Sequence, residues 1–319
     1  MKIDVFNGDA DGICALIQLR LSHPSDSQLI TGIKRDIQLL KQVQARPGDE
    51  ITVLDISFAQ NHAEVARLLT VGAQIFYVDH HQAGEIPTHP ALKTLINTDA
   101  NVCTSLLVNE YLKGEFAAWA VVATFGDNLD KSALLLAKSL NLSETQTEHL
   151  KKLGICLNYN GYGASLDDLH FAPDALYREL VNYRSPFDFM RDNPLIYQKL
   201  LAGYADDMNQ ALQTRPDYKN EQVAVYILPE AAWSRRISGV FGNELANLNP
   251  QRAHAVLTHN AQGGYLISVR APLSNKTGAD ELCALFPTGG GRKSAAGINH
   301  LPKEQLADFI QQFSKKYAP

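Results

Sequence analysis

Cysteine is scarce in this 319-residue chain: Cys14, Cys103, Cys156 and Cys283 are widely spaced, and none belongs to a CxxC pair. That spacing excludes a disulfide framework and a cysteine-built zinc site, and suits reduced thiols in apolar surroundings. A surplus of positive charge is missing too. With 29 Lys and Arg against 34 Asp and Glu, the formal net charge is -5, so the molecule as a whole attracts no polyanion and long duplex nucleic acid is a poor partner. No apolar run reaches the ~20 residues of a membrane-spanning helix, and the first residues enter a strand pattern rather than a basic and then apolar leader. The expectation is a cytoplasmic protein with no membrane partner. Repeats, heptads and low-complexity tracts are also absent. What is present, 45% hydrophobic and 20% charged residues, is enough for a full core and for two domains.

From the start to about residue 98, short β-rich runs alternate with helical patterns. Lys2 to Phe6 is followed by Gly12 to Leu21, Leu29 to Ile33 by Ile37 to Ala45, and Ile51 to Leu54 by Ala59 to Leu69; Gln74 to Val78 and Thr94 to Asn97 follow. This alternation predicts βαβ units and a mainly parallel sheet, an α/β fold. From Val102 to about Leu212 the pattern turns helical, ending in a helix over Leu195 to Leu212. A polar stretch from Thr214 to Glu221, with Pro216 and Asn220, marks a domain boundary. Beyond it, strands at Val223 to Leu228, Ala253 to Thr258 and Tyr265 to Val269, a helix near Ile237 to Asn247 and a closing helix over Lys303 to Phe313 predict a smaller mixed α+β domain. The division expected is 1-194 for a metal-binding catalytic domain, 195-221 for a linker helix and loop, and 222-319 for a substrate-binding domain.

The chemistry gathers at the ends of the predicted elements. Asp79-His80-His81 follows the apolar run Gln74 to Val78, Asp9-Ala10-Asp11-Gly12 follows Lys2 to Phe6, Asp55 follows Ile51 to Leu54, and Asp127 follows Ala120 to Phe125. In an open α/β sheet the carboxyl ends of the strands face one crevice, where distant residues converge. Carboxylates with imidazole favour Mn²⁺, with Mg²⁺, Co²⁺ or Zn²⁺ as alternatives. Asp9 and Asp11, one residue apart at a strand-to-helix turn that Gly12 loosens, can address different ions. Two such ions can clamp a phosphoryl group and activate water, the chemistry of a phosphoester hydrolase. Taken singly, Asp-x-Asp-Gly is more often a turn, and Asp55 competes with Ser57 as a helix N-cap. Asp130 rivals Asp127 after the same helix. The remaining histidines lack convergent partners, and Tyr159, Tyr162 and Phe171 are read as core before stacking platforms.

A second cluster, Gly289-Gly290-Gly291-Arg292-Lys293-Ser294-Ala295-Ala296-Gly297, lacks P-loop spacing but combines glycine backbone with two cations, as an anion nest does. Arg270, at the end of Tyr265 to Val269, and Arg235-Arg236, before a helix, could join that phosphate-binding face.

Together these motifs make the chain resemble the DHH phosphoesterase family, in its two-domain branch with a DHHA1-type C-terminal domain, over nearly the whole length. Asp9-Ala10-Asp11-Gly12 is similar to the first motif, Asp55 to the second, Asp79-His80-His81 to the third and Asp127, in Gly126-Asp127-Asn128, to the fourth. The glycine cluster is similar to the DHHA1 substrate-binding loop, and Ser268-Val269-Arg270 to the strand beside it. The resemblance implies metal-dependent cleavage of phosphodiesters or phosphoanhydrides in a cleft between the domains. It implies two Mn²⁺ ions, with Asp9 on the first, Asp11 on the second and Asp55 between them, while His80 and Asp127 complete the coordination of the second ion. Asp79 would orient an imidazole and His81 would contact the scissile phosphate or support the ligands from behind; Arg270, Gly289, Gly290, Gly291, Arg292 and Lys293 would bind substrate. Two positions depart from the family. Val5 stands where many oligoribonuclease-like relatives carry a metal-binding histidine, and Arg292 stands where histidine usually follows the third glycine. The expected substrate is a small nucleotide or short single-stranded oligonucleotide. The alternatives are a pyrophosphatase or exopolyphosphatase and a non-catalytic nucleotide sensor, with monomer and homodimer both open.

Overall fold

In the computed structural model, which describes residues 1–318, the first apolar runs become β1 (Lys2–Phe6), α1 (Ala10–Ser22), β2 (Gln28–Ile30), β3 (Glu50–Leu54), α2 (Phe58–Val71), β4 (Gln74–Asp79) and β5 (Leu92–Ile96). The five strands form a parallel sheet in the order β2-β1-β3-β4-β5. Alternate strand residues Ile3, Val5, Ile51, Val53, Ile75 and Tyr77 form one core with Phe58, Val65 and Leu68 of α2. α1 is buried on every side from Ala10 to Leu19, as its nearly unbroken apolar sequence requires, and packs among β1, β3 and the helices that follow.

Those helices are α3 (Thr104–Tyr111), α4 (Ala117–Gly126), α5 (Asp130–Ser139), α6 (Glu144–Asn160), α7 (Pro173–Leu180), α8 (Pro186–Asp192) and α9 (Pro194–Leu212). α6 opens with a reciprocal capping box, Ser143 with Gln146. The chain divides into two compact units within α9, the first running Met1–Ala202 and the second from Gly203 onward.

The second unit holds β6 (Tyr218–Lys219), β7 (Val223–Ile227), α10 (Ala232–Leu248), β8 (Ala253–His259), β9 (Tyr265–Arg270), α11 (Ala279–Cys283), β10 (Gly289–Gly291), β11 (Ala295–Leu301) and α12 (Leu306–Lys316). Its six strands run in the order β10-β11-β9-β8-β7-β6, antiparallel except for the β7 and β8 pair that α10 connects. Val225, Ala255, Ile267, Val269, Ile298, Phe309 and Phe313 lie in its core.

Several readings of the sequence change. The expected strand Leu29 to Ile33 is only the three residues of β2, and Ile37 to Ala45 holds one 3-10 turn, Leu39–Gln42, rather than a helix. Asp36 accepts the Ile33 N–H at 3.0 Å and bends the chain there, while Leu39, Leu40 and Val43 still bury their side chains. The apolar spacing recorded burial, not helix. The glycine run, expected to form a loop, is strand β10. Arg235 and Arg236 lie inside α10 rather than before it. Among the described residues no helix is long and apolar enough to cross a membrane, and all four cysteines are buried free thiols.

Candidate metal centre

β1 is flanked by β2 on one side and β3 on the other, so the chain reverses its direction of travel across the sheet at β1 and β3. That is the switch point at which open α/β sheets leave a crevice beyond their strand ends. Asp9 and Asp11 leave β1, Asp55 leaves β3 and Asp79 ends β4, so one rim receives four carboxylates. All four are at most 3% exposed. The close turn after β1 depends on Gly12, whose φ is not positive. A Cβ there would stand 2.3 Å from the Asn7 carbonyl oxygen, so glycine serves close approach rather than backbone freedom. Asp55 takes a left-handed backbone, φ 59, a conformation that aspartate tolerates and that recurs at functional turns.

His80 stands at the centre of the acidic group. Its Nε2 lies 3.4 Å from Asp55 Oδ1 and 3.9 Å from both Asp11 Oδ2 and Asp127 Oδ2. Its Nδ1 is 2.9 Å from the Val102 carbonyl oxygen; a carbonyl can only accept, so Nδ1 donates and Nε2 is left to face the carboxylates. Metal-binding imidazoles are oriented in this way by a partner on the far nitrogen. Asp11 accepts the Thr104 N–H and the Ser105 N–H, both at 2.7 Å, one on each oxygen. Asp55 Oδ1 accepts the Thr104 hydroxyl at 3.2 Å. The start of α3 therefore fixes two carboxylates that come from two strands.

Asp79 lies beneath this group and is wholly consumed by positioning. It accepts the N–H groups of His80 and His81 at 2.8 and 3.2 Å, the His81 ring Nδ1 at 2.7 Å, and the Phe58 N–H at 3.2 Å. The cap of α2 thus comes from Asp79, neither Asp55 nor Ser57 supplying a side-chain cap. His81 is the more exposed histidine, and Asp55, His80 and His81 each offer a ligand atom within 4.8 Å of the others. Asp130, the rival of Asp127, pairs instead with Lys151 at 3.1 Å.

The charge field calls for a cation. Burial, and then the charges of Asp11 and Asp9, push Asp55 well above the ordinary carboxylate range, and burial with Asp127 and Asp9 raises Asp11 despite its contact with His80. Burial disfavours charge on His80, yet the Asp55 contact and the Asp127, Asp55 and Asp11 charges lift it to about 10. Buried carboxylates around an imidazole nitrogen, with Asp11 held by the Thr104 and Ser105 N–H groups and Asp55 by the Thr104 hydroxyl, are a donor set that fits Mn²⁺ or Mg²⁺.

Asp9 is placed differently. Its Oδ1 accepts the Asp11 and Gly12 N–H groups at 3.0 and 3.1 Å as the N-cap of α1, and its Oδ2 pairs with the Lys34 ammonium. Burial would raise the Asp9 carboxyl, but Lys34 outweighs it and holds the group below its ordinary value. Sequence reading passed over Lys34. The usable signal was its place after β2, on the same rim as Asp9. Thr104, Ser105 and Val102 were also passed over, since no pattern marks a backbone donor.

In the second unit the residues expected to grip substrate are arranged as an edge hairpin. Gly289, Gly290 and Gly291 of β10 pair with Ile298, Gly297 and Ala296 of β11, and Arg292 and Ala295 exchange backbone hydrogen bonds at 2.9 and 3.2 Å around Lys293-Ser294. This is a strand, not a nest of inward N–H groups; the Gly289 N–H is already given to Phe286 O at 2.9 Å. Gly291 has φ 144, and a Cβ on it would lie 2.5 Å from Ala296 Cα. Arg292 and Lys293 are exposed at the hairpin tip. Arg270 opposes Ala295 in the sheet, but its guanidinium ties β9 to α10 through Asn243 Oδ1 at 2.6 Å and Gly239 O at 3.0 Å. Arg236 makes a two-pronged pair with Asp207 at 2.8 and 3.1 Å. Tyr159 is core, its hydroxyl 2.8 Å from His170 Nε2.

No protein-family profile matches the chain, and no curated protein is closely similar to it in sequence. Solved structures do share its fold. A RecJ exonuclease bound to manganese aligns over 99% of this chain and 90% of its own, with TM-score 0.61 and 18% identity. RecJ from Thermus thermophilus, in complex with Mn²⁺, aligns over 99% and 52%, with TM-score 0.60 and 19% identity. The pGpG-specific phosphodiesterase PggH from Vibrio cholerae aligns over 99% of both chains, with TM-score 0.58 and 14% identity. The chain therefore shares the fold of RecJ exonuclease and of PggH, a parallel-sheet unit followed by a smaller mixed-sheet unit.

Proposed function

We propose that the protein is a Mn²⁺-dependent phosphodiesterase acting on small nucleotides or short single-stranded oligonucleotides. One observation carries the reading: His80 Nε2, oriented from behind by Val102 O, faces Asp11, Asp55 and Asp127 at 3.4 to 3.9 Å. Bound there, a divalent ion supplies Lewis acidity toward a phosphoryl group and its attacking water. Asp11, Asp55, His80 and Asp127 would hold it. Asp79 keeps the Nδ1 of His81 as a donor, which leaves Nε2 of that exposed ring to meet a phosphate oxygen or a proton in transit. Arg292 and Lys293 would offer a phosphate group two exposed cations, with the glycine backbone of β10 allowing a flat ligand close approach. The negative net charge, with cations gathered only locally, favours a short substrate over a long strand.

The test is a product-resolved assay in Mn²⁺, and in Mg²⁺ and Co²⁺, over pAp, linear and cyclic dinucleotides, short RNA, single-stranded DNA and inorganic polyphosphate. Nucleotide products that disappear in His80→Ala are expected. Orthophosphate from polyphosphate alone would replace this reading by an exopolyphosphatase, and nucleotide binding without turnover would replace it by a sensor.

A further inference from the structure

Asp9 was expected to hold the first of two ions, yet one of its oxygens already faces a fixed cation, which is true of no oxygen of Asp11. Oδ1 caps α1 through two backbone N–H groups, and Oδ2 faces the Lys34 ammonium. That lysine is not a loose surface side chain. Its Nζ also donates to Asn158 Oδ1 at 2.8 Å, near the end of α6, and lies 5.6 Å from the centre of the Tyr162 ring. Its own N–H donates to Gly161 O at 2.8 Å, so the backbone and the tip of Lys34 are both tied to the 158–162 segment. Asn158 is itself buried. Lys34 is 22% exposed at its side chain, against 3% for Asp9, which places the ammonium between the buried carboxylate and the rim.

The strand behind this corner adds no ligand. Val5, which precedes Asp9 by four residues, is fully buried in the apolar core with Ile3, Val53 and Tyr77. By contrast Asp11, Asp55 and Asp127 all converge on the single nitrogen of His80. An ion at Asp9 would have to share Oδ2 with a neighbouring ammonium, two like charges within a few ångströms in a buried setting. An ion at His80 is set among carboxylates instead.

We propose that the Lys34 ammonium, seated on Asp9 and Asn158, takes the place of one of the two metal ions, so that the protein binds one Mn²⁺, at Asp11, Asp55, His80 and Asp127. This rests on the functional reading above and refines it. Asp9 becomes a positioning residue that holds Lys34 and the start of α1, and the rim carries one exchangeable and one permanent cation. A permanent cation cannot be removed by chelation, and it fixes the charge of that corner whatever the free metal concentration.

Equilibrium dialysis of the full-length protein against Mn²⁺, with bound metal counted per chain, reads the proposal without reference to activity. One ion per wild-type chain is expected, with Lys34→Met rising to two and Lys34→Arg returning to one. A Lys34→Met protein that still binds one ion would overturn the substitution of ammonium for metal. Electron paramagnetic resonance of Mn²⁺-saturated wild-type protein needs no variant. An uncoupled six-line Mn²⁺ spectrum supports a single ion, and an exchange-coupled multiline spectrum overturns the proposal while leaving the phosphodiesterase reading intact. A wild-type chain that binds no Mn²⁺ at all would remove both.

Discussion

The two units hold their functional candidates in opposite ways. In the first, Asp9, Asp11, Asp55, Asp79 and His80 are buried, and each is fixed by hydrogen-bond donors or acceptors before any ligand arrives. In the second, Arg292 and Lys293 stand exposed at the tip of an edge hairpin, while Gly289 and Gly291 leave no room for a Cβ against Cys283 and Ala296. Preorganised, water-poor groups suit the stabilisation of charge that develops during reaction. Exposed cations at a hairpin tip suit uniform binding of a phosphate that is already charged. On the proposed function, chemistry would fall to the first unit and affinity to the second.

Substitutions that separate kcat from KM test this division. The largest effect is expected for His80→Ala, a loss of at least ~10³-fold in kcat, because several kcal/mol of metal-supplied stabilisation go with the ligand. Removal of metal by a chelator should reproduce that loss and Mn²⁺ should restore the wild type. Next is Gly291→Ala, where a positive φ and a contact on Ala296 should reduce the stability of the second unit by about 1–3 kcal/mol, read as a lowered urea midpoint. Thr104→Val removes the hydroxyl bond to Asp55 and keeps the backbone bond to Asp11, so metal affinity should fall ~10-fold in a competition titration. Arg292→Ala should raise KM by ~10-fold with kcat held, as loss of a charge-assisted bond outside the reacting centre does. If His80→Ala and Arg292→Ala changed the same kinetic constant, the division of labour would fail.

The smallest effect sharpens the comparison through stability. Burial, and then the charge of Arg252, lower His254 from 6.5 to about 4 in the folded second unit. The unfolded chain therefore takes up a proton at higher pH than the folded one. The stability tied to the neutral ring is present above pH 6.5 and is lost as the pH falls toward about 4. Urea midpoints of His254→Leu should show a flatter decline across that interval than the wild type.

The alternation of short apolar runs with helical periods was enough to read the parallel sheet, since buried strands and amphipathic helices leave different periods in the residues that build them. It misread Ile37 to Ala45, whose apolar residues bury side chains without completing a helix. The convergence of Asp11, Asp55 and His80 was expected because strand ends of a parallel sheet share one rim, and Asp127 reaches His80 from the end of α4. The anchoring of these groups was not expected. The Asp79 oxygens that orient two histidines and the Thr104 and Ser105 N–H groups that fix Asp11 make contacts that no motif announces, because backbone donors carry no residue signature.

Residue order alone was sufficient to specify a two-domain α/β architecture and an acidic rim with histidine, because hydrophobic period and motif spacing are local properties. Which carboxylate faces an imidazole and which faces an ammonium was settled only by folding. Lys34 reaches Asp9 across 25 residues and Asn158 across 124, and the electrostatics of a buried group depend on such neighbours in space, whatever their separation along the chain.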